Sequence, residues 1–60
     1  MAVKYLLKID GAAPVLYRSK TVAHRDGCRK VGDGNVYTIA RVVEGDRLTI
    51  LSEHRYLARN

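Results

Sequence analysis

The sequence has little of the material from which disulfides, metal sites and membrane spans are made. It contains one cysteine and two histidines, so an intramolecular disulfide and a cysteine zinc site are both excluded. We expect no metal and no other cofactor, and the lone Cys28 fits a reducing compartment. No apolar run approaches the roughly 18 residues that cross a bilayer, and the N-terminus lacks the apolar stretch of a secretory signal. These absences predict a cytoplasmic protein with no membrane partner.

The acidic residues are few and do not form a catalytic pair. Four aspartates each adjoin a glycine, which is where aspartate favours a turn: Asp10, Asp26, Asp33 and Asp46. His24-Arg25-Asp26 spells the HRD triplet of protein kinases, but a kinase needs several further motifs in a chain about four times as long. The Gly32-Asp33-Gly34 segment lacks the lysine and the following helix of a phosphate-binding loop. We therefore predict a protein without enzymatic activity.

The length of the chain permits one domain, residues 1–60. A chain this short buries only about 60% of its unfolded surface, so its margin of stability is thin. Hydrophobic residues make up 47% of the sequence and are spread along all of it. This distribution predicts a folded domain and argues against disorder.

The first third of the chain has the pattern of a β-hairpin. Residues 3–9 alternate between apolar and mostly polar side chains, which is the period of a strand with one buried face. A turn at Asp10-Gly11 separates this strand from a second one at residues 15–17. Pro14 precedes the second strand, and proline is tolerated at the start or the edge of a strand.

The segment after the hairpin carries the signals of a helix. Ser19 can act as the N-cap, because its hydroxyl accepts the free N–H groups of a first turn. Ala23, Gly27 and Val31 then recur at intervals of four, which gives one stripe of small or apolar side chains suited to lie on a sheet. Gly32 is a natural C-terminal stop.

A second interpretation of the same segment contains no helix. Asp26-Gly27 is a strong two-residue hairpin turn, and a glycine in the middle of a helix costs about 1 kcal/mol relative to alanine. With that turn, the chain would form an all-β SH3-like barrel of five strands. We favour the helix because the cap, the four-residue spacing and the terminal glycine agree with one another.

The rest of the chain has the pattern of strands. Residues 35–43 are rich in β-branched and aromatic side chains and carry apolar groups on both faces, so we expect a central strand. A turn around Gly45 leads to a strand at residues 48–51, and a polar turn leads to a last strand at residues 55–58. The predicted order is β-β-α-β-β-β, an α+β fold with one antiparallel sheet and one helix packed on one face.

Positive charge is concentrated in residues 18–30. This segment holds five of the eleven Lys and Arg residues and one acid, in a chain of net charge +5. Arg25 and Arg29 lie opposite the apolar stripe of the predicted helix, and a guanidinium group suits carboxylate and phosphate alike. The first candidate surface, with an exposed valine beside the charges, consists of Arg18, Val22, Arg25, Arg29 and Lys30. The plainer alternative is a solvated charged face.

A second candidate surface lies on the C-terminal strands. Basic and aromatic residues are interleaved there, which is the sheet pattern of single-strand nucleic-acid binders. Its members are Tyr37, Arg41, Arg47, Arg55, Tyr56 and Arg59. Two alternatives stay open, because Tyr37 could belong to the core and arginines on an edge strand also block aggregation.

The order of these elements resembles a known group of proteins. The strand MAVKYLLKID, the Ser-capped basic helix SKTVAHRDGCRKV and the hairpin YTIARVVEGDRLTIL look like small phage-encoded α+β proteins, including certain type I anti-CRISPR inhibitors. The similarity covers most of the chain as an order of elements, without a diagnostic motif, so no binding residue is carried over from it. It implies a stoichiometric inhibitor that occupies the crRNA-guided surveillance complex in the cytoplasm of a bacterial host.

The charge pattern and the resemblance together predict a binding protein. The partner is a host protein or ribonucleoprotein complex with an acidic surface, and the basic helix face is the contact. The alternative is a small basic domain that binds nucleic acid directly. The sequence leaves the oligomeric state open, including that of a homodimer.

Overall fold

The strands pair into one antiparallel sheet, and the helix packs against one of its faces. The computed structural model describes residues 2–59. Within that range the elements are Val3–Lys8 (β1), Val15–Tyr17 (β2), Lys20–Val31 (α1), Val36–Glu44 (β3) and Leu48–Leu57 (β4). The strand order across the sheet is β2-β1-β3-β4, with every neighbouring pair antiparallel. The predicted α+β class is confirmed. Over the same residues, no helix is long and apolar enough to cross a membrane.

The N-terminal hairpin forms as its alternation predicts. Tyr5 of β1 lies opposite Tyr17 of β2. In the turn, the N–H of Ala12 donates to the carbonyl of Ile9 at 3.1 Å. Gly11 adopts a φ of +80°, a left-handed conformation that glycine reaches without a steric penalty. The hairpin therefore places β2 at one edge of the sheet.

Helix α1 begins and ends at the predicted signals. The Oγ of Ser19 accepts the N–H of Val22 at 3.4 Å, which caps the first turn. Gly32 follows the last turn with a φ of +82°, and its N–H donates to the carbonyl of Cys28 at 3.0 Å. The barrel alternative is wrong, because Asp26-Gly27 lies inside the helix and forms no hairpin turn.

The core lies between α1 and the sheet. Its buried cluster consists of Leu7, Ala23, Tyr37, Ile39 and Ala58. Gly27 is buried in the same layer, and a Cβ at that position would lie only 2.7 Å from Cδ2 of Tyr37. The glycine that weakens the helix locally therefore allows the helix to approach the sheet closely.

β4 is one strand where two were predicted. The polar segment in its middle stays in the ladder, with Ser52 opposite Arg41. The register then shifts, since Ile50 pairs with Val42, and Leu51 is left over as a bulge. A bulge of this kind bends a strand without ending it, so the expected turn does not form.

The second face of the sheet carries no helix. Ala40 lies on this face, because it alternates with the core residue Ile39 along β3. Two ion pairs cross the same face: Lys4 Nζ lies 2.6 Å from Glu44 Oε1, and Lys8 Nζ lies 3.3 Å from Glu53 Oε1. Surface pairs of this kind contribute at most about 1 kcal/mol each, and the same face also exposes Val36, Ile50 and Leu57.

We expect Gly27→Ala to lower the free energy of unfolding, although alanine favours a helix by about 1 kcal/mol. The added Cβ would lie 2.7 Å from Cδ2 of Tyr37 and 3.1 Å from Cδ1 of Leu7, and overpacking of this kind costs about 1–3 kcal/mol. Urea denaturation followed by circular dichroism measures the change. Gly45→Ala is the matched control, because a Cβ there meets nothing within 4 Å. A Gly27→Ala midpoint at or above that of the wild type would contradict this packing.

Candidate functional site: a basic groove between the helix and the last strand

The rotation of α1 about its axis decides which residues face solvent. Ala23 and Gly27 are buried against the sheet. At about 100° per residue, Arg25 and Arg29 fall on the opposite side of the helix, and both are exposed. The sequence therefore predicted the charged face of the helix correctly.

A depression of about 580 Å³ lies where this charged face meets the residues that follow β4. It is lined by His24, Arg25, Cys28, Arg29 and Arg59. Arg59 is held there by the buried Ala58, whose N–H donates to the carbonyl of Asn35 at 2.8 Å and whose carbonyl accepts the N–H of Gly34 at 2.9 Å. Three arginines thus border one concave surface, and the described residues that line it include no acid.

A second depression, of about 360 Å³, lies nearer the N-terminus of the helix. It is lined by Tyr5, Lys20, Ile39, Arg41, Ser52, His54, Arg55 and Tyr56. Three of these residues are cationic, two are tyrosines and none is acidic. Arg55 borders the depression at the strand, because it alternates with His54 and its side chain lies on the second face. The second depression therefore combines positive charge with aromatic rings.

The two depressions lie along the same side of α1. Lys20, His24 and Cys28 are four residues apart and form one stripe on the helix. Lys20 borders the second depression, whereas His24 and Cys28 border the first. The rings of His24 and Tyr56 meet between them, with centroids 4.4 Å apart and planes at 83°. We call the two depressions and this ring contact the basic groove.

A buried hydroxyl group fixes the side chain of His24. The oxygen of Tyr37 lies 2.8 Å from Nδ1 of His24, and the thiol of Cys28 donates to the same oxygen at 3.6 Å. The hydroxyl of Tyr37 has one proton and two lone pairs, so this contact is compatible with either neutral tautomer of His24. This contact therefore fixes the position of His24 in the lining of the groove.

The surroundings of this pair shift both ionisation equilibria toward the neutral forms. Burial, and then the hydrogen bond from Cys28, raises the pKa of Tyr37 to about 12. Burial, and then the positive charge of Lys20, lowers the pKa of His24 below its ordinary value of 6.5. At neutral pH the side chains of His24 and Tyr37 therefore add no charge to the groove.

The acid of the basic segment is turned away from the groove. Asp26 accepts the hydroxyl of Tyr17 at 3.0 Å, on the side of α1 that faces β2. Its other oxygen accepts a hydrogen bond from Nη2 of Arg29 at 2.8 Å, and the side chain of Arg29 is still 75% exposed. Lys30 lies on the same side, with Nζ 3.5 Å from the hydroxyl of Tyr17. Arg29 therefore pairs with Asp26 and also borders the groove.

The first predicted surface is divided by the structure. Arg25 and Arg29 stand together at the groove, whereas Lys30 is on the β2 side of the helix. Arg18 is exposed and precedes the N-cap. Val22 is half-buried, where the sequence predicted an exposed apolar neighbour, so the expected apolar contact area is smaller.

The second predicted surface is not one surface. Tyr37 is only 4% exposed and belongs to the core, so its ring cannot stack on a nucleic-acid base. Arg41, Arg55 and Tyr56 do meet, at the second depression. Arg47 lies in the turn between β3 and β4 and borders neither depression. Arg59 joins the arginines of the helix instead.

Several residues of the groove were missed by the sequence prediction. Lys20 could have been found, because its four-residue spacing to His24 and Cys28 is a helical pattern. Tyr5 and His54 reach the groove through the pairing of strands that are distant in the sequence. No local pattern encodes that proximity.

The side chains of the groove suit anions better than metal ions. Among residues 2–59, no group of three His, Cys, Asp and Glu side chains could hold a metal. Guanidinium and ammonium groups offer donors and no acceptor. They form short charge-assisted hydrogen bonds with carboxylates and phosphates.

Comparison with known proteins adds no assignment to this geometry. No protein-family model, curated protein or solved structure matches the chain. The resemblance to phage-encoded inhibitors therefore stays a prediction, and the function has to be argued from the groove.

We expect the free energy of unfolding to fall as the pH drops below about 6.5. The folded state lowers the pKa of His24, so between 6.5 and that lower pKa the unfolded chain binds more protons and is favoured. His24→Gln should remove this contribution. Urea midpoints at about pH 7.5 and about pH 5.5 measure it. His54→Gln, a change at an exposed histidine, should keep the loss; a wild-type midpoint that does not move would contradict the expectation.

Proposed function

We propose that this protein is a non-enzymatic binding protein that docks on an anionic surface of a host protein or ribonucleoprotein complex through the basic groove. The convergence of Arg25, Arg29 and Arg59 on one depression supports this more than any other observation. Two of these arginines come from the helix and one from the end of the sheet. Such a convergence presents three planar donor groups to a single anionic partner.

The rigidity of the groove favours binding. Arg25 and Arg29 project from a capped helix that is packed on the sheet, and Arg59 follows a fully buried residue. Docking therefore orders side chains and requires no folding of the backbone, which limits the entropy lost on association. The lining of both depressions is cationic without an acid among the described residues, so the attraction acts on approach as well as in contact.

His24 contributes to the groove as a fixed lining residue in this proposal. Its Nδ1 lies against the hydroxyl of Tyr37, and its ring packs against Tyr56. Both contacts hold the ring in place beside Arg25 and Arg29.

An inhibitor of the kind implied by the resemblance would act by occupying a surface. A type I surveillance complex presents its guide RNA and the path of the target strand, and a basic protein fits such a path by charge. We therefore propose that complex as the class of partner, in the cytoplasm of a bacterial host. Arg18 precedes the N-cap and Lys30 lies on the β2 side of the helix, so their positive charge lies outside the groove.

A second candidate function is the direct binding of single-stranded nucleic acid. The second depression supports it, because Lys20, Arg41 and Arg55 surround a cleft that also contains Tyr5 and Tyr56. Tyr56 is half-buried, so at most part of its ring is open to a base. Binding of this kind would depend steeply on salt and little on a particular protein complex.

Arg25→Glu with Arg29→Glu should abolish binding to a purified type I surveillance complex, because two of the three converging cations are reversed. We expect the affinity to fall by more than about a hundredfold, measured by biolayer interferometry. Circular dichroism checks that the variant is folded. A folded double variant with unchanged affinity would contradict the proposal.

The matched control compares single charge reversals. Arg25→Glu and Arg47→Glu change the net charge equally, but Arg47 borders neither depression. We expect only Arg25→Glu to weaken binding. Free single-stranded RNA of the guide's length is the second ligand, and equal affinity for RNA and complex at several salt concentrations would favour the nucleic-acid function.

A further inference from the structure

β4 is an exposed edge strand of unusual length. It contains ten residues, and among residues 2–59 it pairs on one side only, with β3. The other edge of the sheet, β2, has three residues and follows Pro14. A short edge that follows a proline is protected against pairing with another strand, whereas a long edge is open to it.

The free backbone groups of β4 can be assigned from one hydrogen bond. The N–H of Ala58 donates to the carbonyl of Asn35, so Ala58 faces the β3 side. Backbone groups alternate along an antiparallel strand. Glu53, Arg55 and Leu57 therefore direct their N–H and C=O groups away from the sheet.

The side chains along this edge are complementary to themselves. Residues 51–57 read LSEHRYL, in which an acid and a base flank His54 and a leucine stands at each end. Leu51 and Leu57 stand at equal distances from the centre, and so do Glu53 and Arg55. The two leucines are 52% and 50% exposed, which is high for large apolar side chains.

We propose that two copies of the chain pair edge to edge through β4, about a two-fold axis at His54. The two four-stranded sheets then become one continuous antiparallel sheet. Each Glu53 lies opposite the second copy's arginine at position 55, and the bulge at Leu51 marks the end of the regular pairing. The interface is isologous, so every favourable contact occurs twice.

The charges select this register over its neighbours. The outward backbone groups belong to odd positions, so an odd position of one copy must lie opposite an odd position of the other. The two-fold axis then passes through a residue, and the alternatives nearest to His54 are Glu53 and Arg55. An axis at Glu53 would set the two Glu53 carboxylates against each other, and an axis at Arg55 would set the two guanidinium groups against each other. Like charges directly opposite are destabilising, whereas opposite charges and apolar pairs each contribute about 0.2–1 kcal/mol.

The existing contacts of β4 are compatible with this pairing. Glu53 receives Lys8 Nζ at 3.3 Å, and a carboxylate can accept further donors on its second oxygen. Among residues 2–59, Arg55 forms no ion pair with an acid, and it borders the second depression from the sheet edge. A two-fold axis perpendicular to the sheet places both helices on the same face, so the two basic grooves would lie side by side.

Charge reversal tests the register directly. Sedimentation equilibrium should give the wild type twice the 6.7 kDa mass of one chain. Glu53→Arg and Arg55→Glu should each raise the dissociation constant by more than about tenfold, because each sets like charges opposite. The combined variant Glu53→Arg with Arg55→Glu restores the complementary pairs and should restore the dimer. Arg47→Glu is the control and should leave the wild-type mass unchanged.

A cross-link gives an independent readout. His54 on the axis would face its own copy in a non-hydrogen-bonded pair with Cα atoms about 4.5 Å apart, which suits a disulfide. His54→Cys in a Cys28→Ser background should therefore form a covalent dimer on mild oxidation. Ser52→Cys in the same background should not, since its copies lie about four residues apart along the strand.

Three results would overturn the inference. They are a wild-type chain that stays monomeric at millimolar concentration, a folded combined variant that does not regain the dimer, and cross-linking at position 52 instead of 54. The oligomeric state is measured without any partner, so these results are independent of the proposed function.

Discussion

Tyr37 is the side chain on which the rest of the structure depends, because it joins the helix to the sheet at three points. Its ring fills the space beside Gly27 that any Cβ would occupy. Its hydroxyl receives the thiol of Cys28 and reaches Nδ1 of His24. Its face stacks on Tyr56, with centroids 5.6 Å apart and planes at 25°. Together these contacts fix both the distance and the rotation of α1, and with them the position of every arginine on the helix.

The fixed rotation separates the charges of a segment whose sequence mixes them. The small residues of α1 face the sheet, the arginines face solvent, and Asp26 faces β2, where the hydroxyl of Tyr17 holds it. Asp26 lies 2.8 Å from Nη2 of Arg29, so it offsets part of the charge of that one arginine at the groove. Arg25 and Arg29 of this basic segment are therefore exposed together on the solvent side of the helix.

Local signals predicted the elements, and the contacts between elements decided what the local signals left open. Ser19 and Gly32 marked the ends of the helix correctly because capping depends on residues within one turn. The sequence Asp26-Gly27 fitted both a hairpin turn and a helix. The structure explains a glycine inside the helix, because the ring of Tyr37 occupies the space of a Cβ at Gly27. The bulge at Leu51 and the meeting of the helical arginines with Arg59 both require the strand order, which no local pattern contains.

β4 takes part in both proposed surfaces, and this sharing determines which residues can separate them. Arg55 borders the second depression at the strand, but like Glu53 it alternates with His54, so its side chain lies on the second face of the sheet and belongs to the proposed two-fold pairing. Glu53 alternates with the groove residue His54 along the strand and therefore points to the other face of the sheet. Arg25 lies on the helix, away from the strand edge. Charge changes at Glu53 and at Arg25 thus act on one surface each, and two grooves held side by side would bind a partner that spans both with a higher effective concentration than either alone.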